Sequence, residues 1–92
     1  MVIYNILDMK NNIKNKVMEL YPNFPKKLLN AHPNLTSSEL ELCIFIKFNL
    51  SDIEIAKIMS RHKRTIETKR YRLRKKLGLD KTEKLNNYII KI

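Results

Sequence analysis

The sequence predicts an all-α fold: a four-helix domain over 35–92, preceded by an N-terminal helical arm over 1–34. Three observations carry this reading. One Gly and three Pro in 92 residues leave few sites for tight hairpins. Three sets, Thr36–Glu39, Ser51–Glu54 and Asp80–Glu83, have the spacing of helix capping boxes. Between the prolines, apolar residues recur at helical rather than strand spacing.

The first helix is expected over residues 3–20. Ile6, Ile13 and Leu20 stand seven apart, with Ile3, Leu7, Met9 and Val17 beside them, a loose heptad too short to specify a coiled coil. Tyr21-Pro22-Asn23 ends it. A short helix from about Pro25 to Asn30 follows, Pro at its first turn, with Phe24, Leu28 and Leu29 as buried anchors.

Thr36 and Glu39 open the third helix, expected to reach Phe48 and to end at Asn49, a residue type that tolerates the left-handed conformation. Leu42, Cys43 and Ile46 form one apolar face; Leu40, Ile44 and Phe48 form another. A helix apolar nearly all round must be covered on both sides, so the N-terminal segment is expected on the second stripe. Ser51 and Glu54 open a helix running through Met59, whose buried face is Ile55, Ala56, Ile58 and Met59. Ser60 to Lys63 connect it to a helix from about Arg64 to Leu77, stopped by Gly78. Asp80 and Glu83 are expected to cap a last helix, where Leu85, Ile89 and Ile92 recur at i, i+4 and i+7.

Charge narrows the function. Nineteen Lys and Arg face nine Asp and Glu, a net +10. Residues 57–76 hold ten bases and one acid, so +9 of the +10 lies there, and all five arginines lie there too. Such concentration points to a polyanion. Other classes have little support. Cys43 is the lone cysteine, without a partner for a disulfide or a Cys-rich metal site, and fits a reducing cytoplasm. No apolar run approaches a membrane span, and Asp8, Lys10 and Lys14 break any secretory-signal pattern. His32 and His62 stand apart without carboxylates around them. No glycine-rich phosphate loop, metal cluster or nucleophile–base pair suggests an enzyme, and no cofactor, metal or small-molecule ligand is implied.

A short helix, a tight turn and a longer basic helix make the helix-turn-helix plan. Ala56 is the small residue needed where the two helices approach closely, and Ile66, ten positions on, is the facing anchor. At about 100° per residue, Ile66, Arg70, Leu73 and Leu77 share the core stripe. Arg64, Thr68, Tyr71, Arg72 and Lys75 fall roughly opposite. Arg70 is expected to act structurally, its stem packed on the core and its guanidinium paired with Glu39 or Glu54.

An ordered set of residues carries a family resemblance. Leu35-Thr36, Glu39, Leu42-Cys43, Leu50-Ser51, Glu54-Ile55-Ala56, Thr65-Ile66-Glu67 and Lys76-Leu77-Gly78-Leu79 resemble the C-terminal DNA-binding domain of LuxR-type regulators. The likeness covers residues 35–79, and 80–92 by helix pattern alone. Pro33 to Thr36 and Arg70 to Leu77 are similar to a branch often found after tetratricopeptide repeats or sensor regions.

The resemblance implies a third domain helix in the major groove of double-stranded DNA and a last helix forming a dimer contact. Base-reading positions fall on Glu67, Thr68 and Tyr71; for Glu67 a helix-dipole role at the first turn is the alternative. Arg64, Thr65, Lys69, Arg72 and Lys75 are the phosphate candidates. Leu85, Ile89 and Ile92 are the dimer candidates, with the core of a single chain as their alternative destination and the N-terminal helix as a second possible interface.

Three positions depart from the family: Arg61 replaces an apolar residue, His62 a capping Ser or Thr, and Ile53 a frequent Lys. The turn is more basic and worse capped, so Arg61, His62 and Lys63 are expected to add phosphate contacts. The expected function is a sequence-specific transcription regulator of a bacterial cytoplasm, homodimeric, with RNA polymerase as a further candidate partner. With no sensor or receiver segment present, the chain either stands alone or is part of a larger regulator. A sigma-factor region-four-like promoter domain and a basic RNA-binding protein are the alternatives; for RNA, aromatic stacking platforms are scarce.

Overall fold

A computed structural model describes residues 6–92, with side chains from Asp8 onward. Six α-helices follow in order: α1 (Ile6–Leu20), α2 (Phe24–Ala31), α3 (Ser37–Lys47), α4 (Asp52–Met59), α5 (Lys63–Lys76) and α6 (Leu85–Lys91). No strand occurs among the described residues, so the chain is all-α there. The expected start of the first helix at residue 3, and Ile3 with it, lie outside the described residues.

Side-chain chemistry sets the helix boundaries. Thr36 Oγ1 accepts from Glu39 N–H at 3.2 Å while the Thr36 N–H donates to Glu39 Oε1 at 2.8 Å. Ser51 and Glu54 close the same reciprocal box at 3.2 and 2.9 Å. Each box satisfies two N–H groups that a helix start otherwise leaves orphaned. At the other ends, Asn49, Ser60 and Gly78 take left-handed φ of 65°, 54° and 74°. The next N–H then bonds back over the turn in each case: Leu50 to Phe45, Arg61 to Ala56, Leu79 to Arg74. No atom lies within 4 Å of a Cβ placed on Gly78, so its requirement is backbone conformation alone.

One apolar core joins all six helices. α3 runs through its middle, with Leu42 to Ile46 buried without interruption. α1 lies on the Leu40–Ile44 side, where Lys10 and Lys14 reach Glu41 at 2.8 and 2.6 Å. α6 packs against α3, and α4 packs between α1 and α5. The arm read over 1–34 supplies Val17, Phe24 and Leu28 to this same core. Leu29, expected as an anchor, is only half-buried, and Leu20 is 55% exposed, so the heptad line of α1 does not form a seam.

The last helix differs from the expectation in two ways. Asp80 does not open it: α6 begins at Leu85, behind Lys84. Asp80 Oδ1 accepts from the N–H groups of Thr82 and Glu83 and from the Thr82 hydroxyl, but no Glu83 side chain returns the bond. Arg74 donates to the Asp80 and Glu83 carbonyls at 2.7 and 2.5 Å, taking the acceptor that a helix starting at Asp80 would use first. Secondly, Leu85 and Ile89 are buried in the core of this one chain and Ile92 is partly buried against it. They do not form an outward dimer row, because α6 needs them to seat on α3. His32 Nε2, hydrogen-bonded to the Tyr88 hydroxyl at 2.6 Å, and Lys47 Nζ, donating to the Ile90 carbonyl at 2.7 Å, hold α6 there as well.

Candidate nucleic-acid interface

α4 and α5 are joined by three residues, Ser60 to His62, one fewer than expected, because α5 already starts at Lys63. Ala56 and Ile66 are both buried where the two helices meet. His62 occupies the N-cap position of α5 with extended backbone but makes no side-chain cap, as the departure from a Ser or Thr implies. Ile66, Leu73 and Leu77 are buried, fixing the rotation of α5 about its axis. Arg64, Glu67, Thr68, Tyr71, Arg72 and Lys75 are consequently exposed, while Thr65 and Lys69 are half-buried at the edges of that face.

The ten bases of residues 57–76 divide into three groups. Arg70, Arg74 and Lys76 are tied to the protein. Lys76 Nζ pairs with Glu39 Oε1 at 2.7 Å, and Arg74 holds the loop before α6. Arg70 Nε lies 3.5 Å from Asp52 Oδ1, and its guanidinium also donates to Asn86 Oδ1. Arg70 is therefore structural, but neither Glu39 nor Glu54 is its partner: Lys76 holds the first, and the second is used in its own capping box. Lys57 and Arg61 line a groove between α1 and α4. Lys63, Arg64, Lys69, Arg72 and Lys75 remain, all of them phosphate candidates from the sequence. With Glu67 they give the outward face five bases and one acid.

Within that face each side chain has a particular state. Lys63 Nζ stands 3.8 Å from Glu67 Oε1, an exposed i,i+4 pair. Because α5 starts at Lys63, Glu67 lies beyond the first turn, which removes the helix-dipole alternative for it. Thr68 donates its hydroxyl proton to the Arg64 carbonyl at 3.1 Å, leaving its methyl and an oxygen lone pair facing out. Tyr71 is 58% exposed, with Lys75 Nζ at 4.7 Å from its ring centroid. Lys69 Nζ reaches Ser38 Oγ at 3.4 Å across a cleft lined by Thr36, Ser38, Glu39, Leu42, Lys69 and Arg72.

Ser38, Asp52 and Asn86 take part in positioning this face and have no distinctive sequence signal, since each acts only through a residue far along the chain. Glu39 faces the cleft from below. Burial pushes its carboxyl up, but the Lys76 ammonium and the Thr36 cap outweigh that and hold it below its ordinary value. Burial pushes the Cys43 thiol up to about 12, so it packs as a neutral apolar group. Among the described residues, no group of three or more His, Cys, Asp or Glu has metal-site geometry, and no helix is long and apolar enough to cross a membrane.

No family model, curated protein or solved structure matches this chain.

Proposed function

We propose that the chain is a sequence-specific double-stranded DNA-binding regulator of the LuxR type. In this reading α3 to α6 are the four helices of the binding domain, α1 and α2 are the arm, and α5 enters the major groove. One observation carries it. A single helix buries Ile66, Leu73 and Leu77 and turns five unburied bases, with Glu67, Thr68 and Tyr71 between them, to the opposite side.

The chemistry suits DNA on two scales. A major groove roughly 12 Å wide admits one helix with its side chains. Lys63, Arg64, Lys69, Arg72 and Lys75 flank the central residues and supply cations for the two phosphate backbones, with Thr65 as a neutral donor. Glu67 can accept from a cytosine amino group, and the Thr68 methyl can meet that of thymine. Tyr71 can read a base edge or bond a phosphate. Binding as a homodimer on paired half-sites, the protein would recruit or block RNA polymerase.

Selection of bound duplexes from a random library tests the reading and yields sequence and half-site spacing together. A dimer neutralising four or five phosphates per protomer should show log K falling against log salt with a slope of about −7 to −9. A slope near −2 with no enriched sequence would reject it (about two phosphates on the same scale).

A further inference from the structure

Over its C-terminal half α5 carries its charge unevenly about the axis. At about 100° per residue, and counting from the buried Ile66, Lys75 lies at about 180°, in the middle of the outward face. Arg72 and Lys69 lie at about 240° and 300°, on one flank. Tyr71 and Arg74 lie at about 140° and 80°, on the other. Arg74 is committed to the carbonyls of Asp80 and Glu83, so this half of α5 has no free base on the Tyr71 flank. A helix in the major groove meets a phosphate backbone on each side, and here one of the two is left short of cations.

The chain supplies a base at this point from outside the helix. A hollow of about 200 Å³ is lined by Tyr71, Arg74, Lys75, Leu79, Asp80 and Lys81. Lys81, in the loop between α5 and α6, thus borders the same hollow as two residues of the outward face. It is exposed and has no ion pair among the described residues. On the helix side, Lys75 Nζ leans over the Tyr71 ring at 4.7 Å.

The loop that presents Lys81 is held from both sides. Arg74 bridges the carbonyls of Asp80 and Glu83 at 2.7 and 2.5 Å. Asp80 Oδ1 accepts from the Thr82 N–H at 2.8 Å, the Thr82 hydroxyl at 2.7 Å and the Glu83 N–H at 3.0 Å. The one acid on the lining therefore turns its carboxylate to donors within the loop. A backbone already fixed at Lys81 leaves little to order when a ligand arrives.

We propose that Lys81 is a DNA ligand, holding one backbone phosphate with Lys75 over this hollow, on the side of the groove opposite Arg72. The proposal rests on the DNA reading of α5. It extends the interface to a loop that lies outside the basic stretch of residues 57–76.

Binding of the full chain to its enriched duplex, measured against salt, tests the assignment. Lys81→Ala should flatten the salt slope by about 0.9 in each protomer. At about 0.15 M salt it should weaken binding about fivefold per protomer, for preferred and altered duplexes alike. Lys81→Arg should restore both. Lys26→Ala, which removes an exposed charge from α2, should leave the slope unchanged. Ethylation of one backbone phosphate should weaken the parent chain and add nothing to the loss in Lys81→Ala. An unchanged slope in Lys81→Ala, or an equal flattening in Lys26→Ala, would overturn the proposal, while an enriched sequence would keep the reading of α5. A parent chain with a slope near −2 and no enriched sequence would reject both (about two phosphates).

Discussion

Arg70 Nε lies 3.5 Å from Asp52 Oδ1, tying the middle of α5 to the first residue of α4. The same guanidinium donates to Asn86 on α6, so one side chain links three helices. Arg70 stands on the core stripe with Ile66, Leu73 and Leu77, and its planar fork lets it meet two acceptors at once. The rotation of α5, and hence which residues face outward, is fixed by this link as well as by apolar packing.

Replacing Arg70 should therefore affect the fold before it affects a ligand. Arg70→Ala is expected to cost about 1–2 kcal/mol, the pair being partly exposed. Arg70→Lys keeps the charge but loses the fork, and should fall between the two. Urea denaturation reads both. If Arg70 makes no phosphate contact, Arg70→Ala, which removes the charge, should leave the salt dependence of DNA binding by the folded protein unchanged. A flatter slope would show that Arg70 touches DNA.

Glu41 makes the stability depend on pH. Burial would push its carboxyl up, but Lys10 and Lys14 outweigh burial and hold it below its ordinary value. A folded value below the unfolded one contributes stability above the unfolded carboxylate range, and that stability is lost as pH falls through the folded value. Glu41→Gln should cost about 1 kcal/mol at neutral pH, because the lysines are partly exposed. The difference from the parent chain should vanish in acid, as urea melts across the acid range would show. A constant difference at all pH values would mean that packing rather than charge holds α1 to α3.

The turn between α4 and α5 has room for improvement. His62 sits at the N-cap of α5 without capping it, and Ser60 is left-handed without being Gly. His62→Ser should stabilise by about 1 kcal/mol by supplying the missing acceptor. Ser60→Gly should add about 0.5 kcal/mol, its relief from the left-handed cost being offset in part by a more flexible unfolded chain. The two positions share one turn, so their effects need not add. Thermal melts of the single and double variants measure this; a destabilised His62→Ser would reveal a structural role for the imidazole.

Local chemistry is legible in the sequence and tertiary partnership is not. The boxes at Thr36 and Ser51, and the stops at Asn49 and Gly78, depend on residues within a few positions of one another. The inward and outward faces of α5 follow from helical period alone. The partner of Arg70 is not legible, because three acids compete for the nearby cations and spacing cannot rank them. Asp80 has the look of a helix start, but Arg74, six residues earlier, takes its carbonyl. Leu85, Ile89 and Ile92 form a row that suits a core or an interface equally; only the packing on α3 decides for the core.

The outward residues of α5 should separate into two kinds when varied singly. Arg72→Ala and Lys75→Ala should weaken binding to all duplexes alike, each flattening the salt slope by about 0.9 in each protomer for every phosphate left without its cation. Thr68→Ser, which keeps the bond to Arg64 but deletes the methyl, should change preference at one base position while leaving the slope unaltered. Glu67→Gln should relax discrimination at a neighbouring position by about 1–3 kcal/mol if it accepts from a cytosine. For Tyr71, Tyr71→Phe distinguishes the two roles. Lost preference at one position assigns its hydroxyl to a base edge, whereas uniform weakening assigns it to a phosphate. Should all these variants shift affinity in parallel, with no position-specific change, the face would be reading charge and shape rather than sequence.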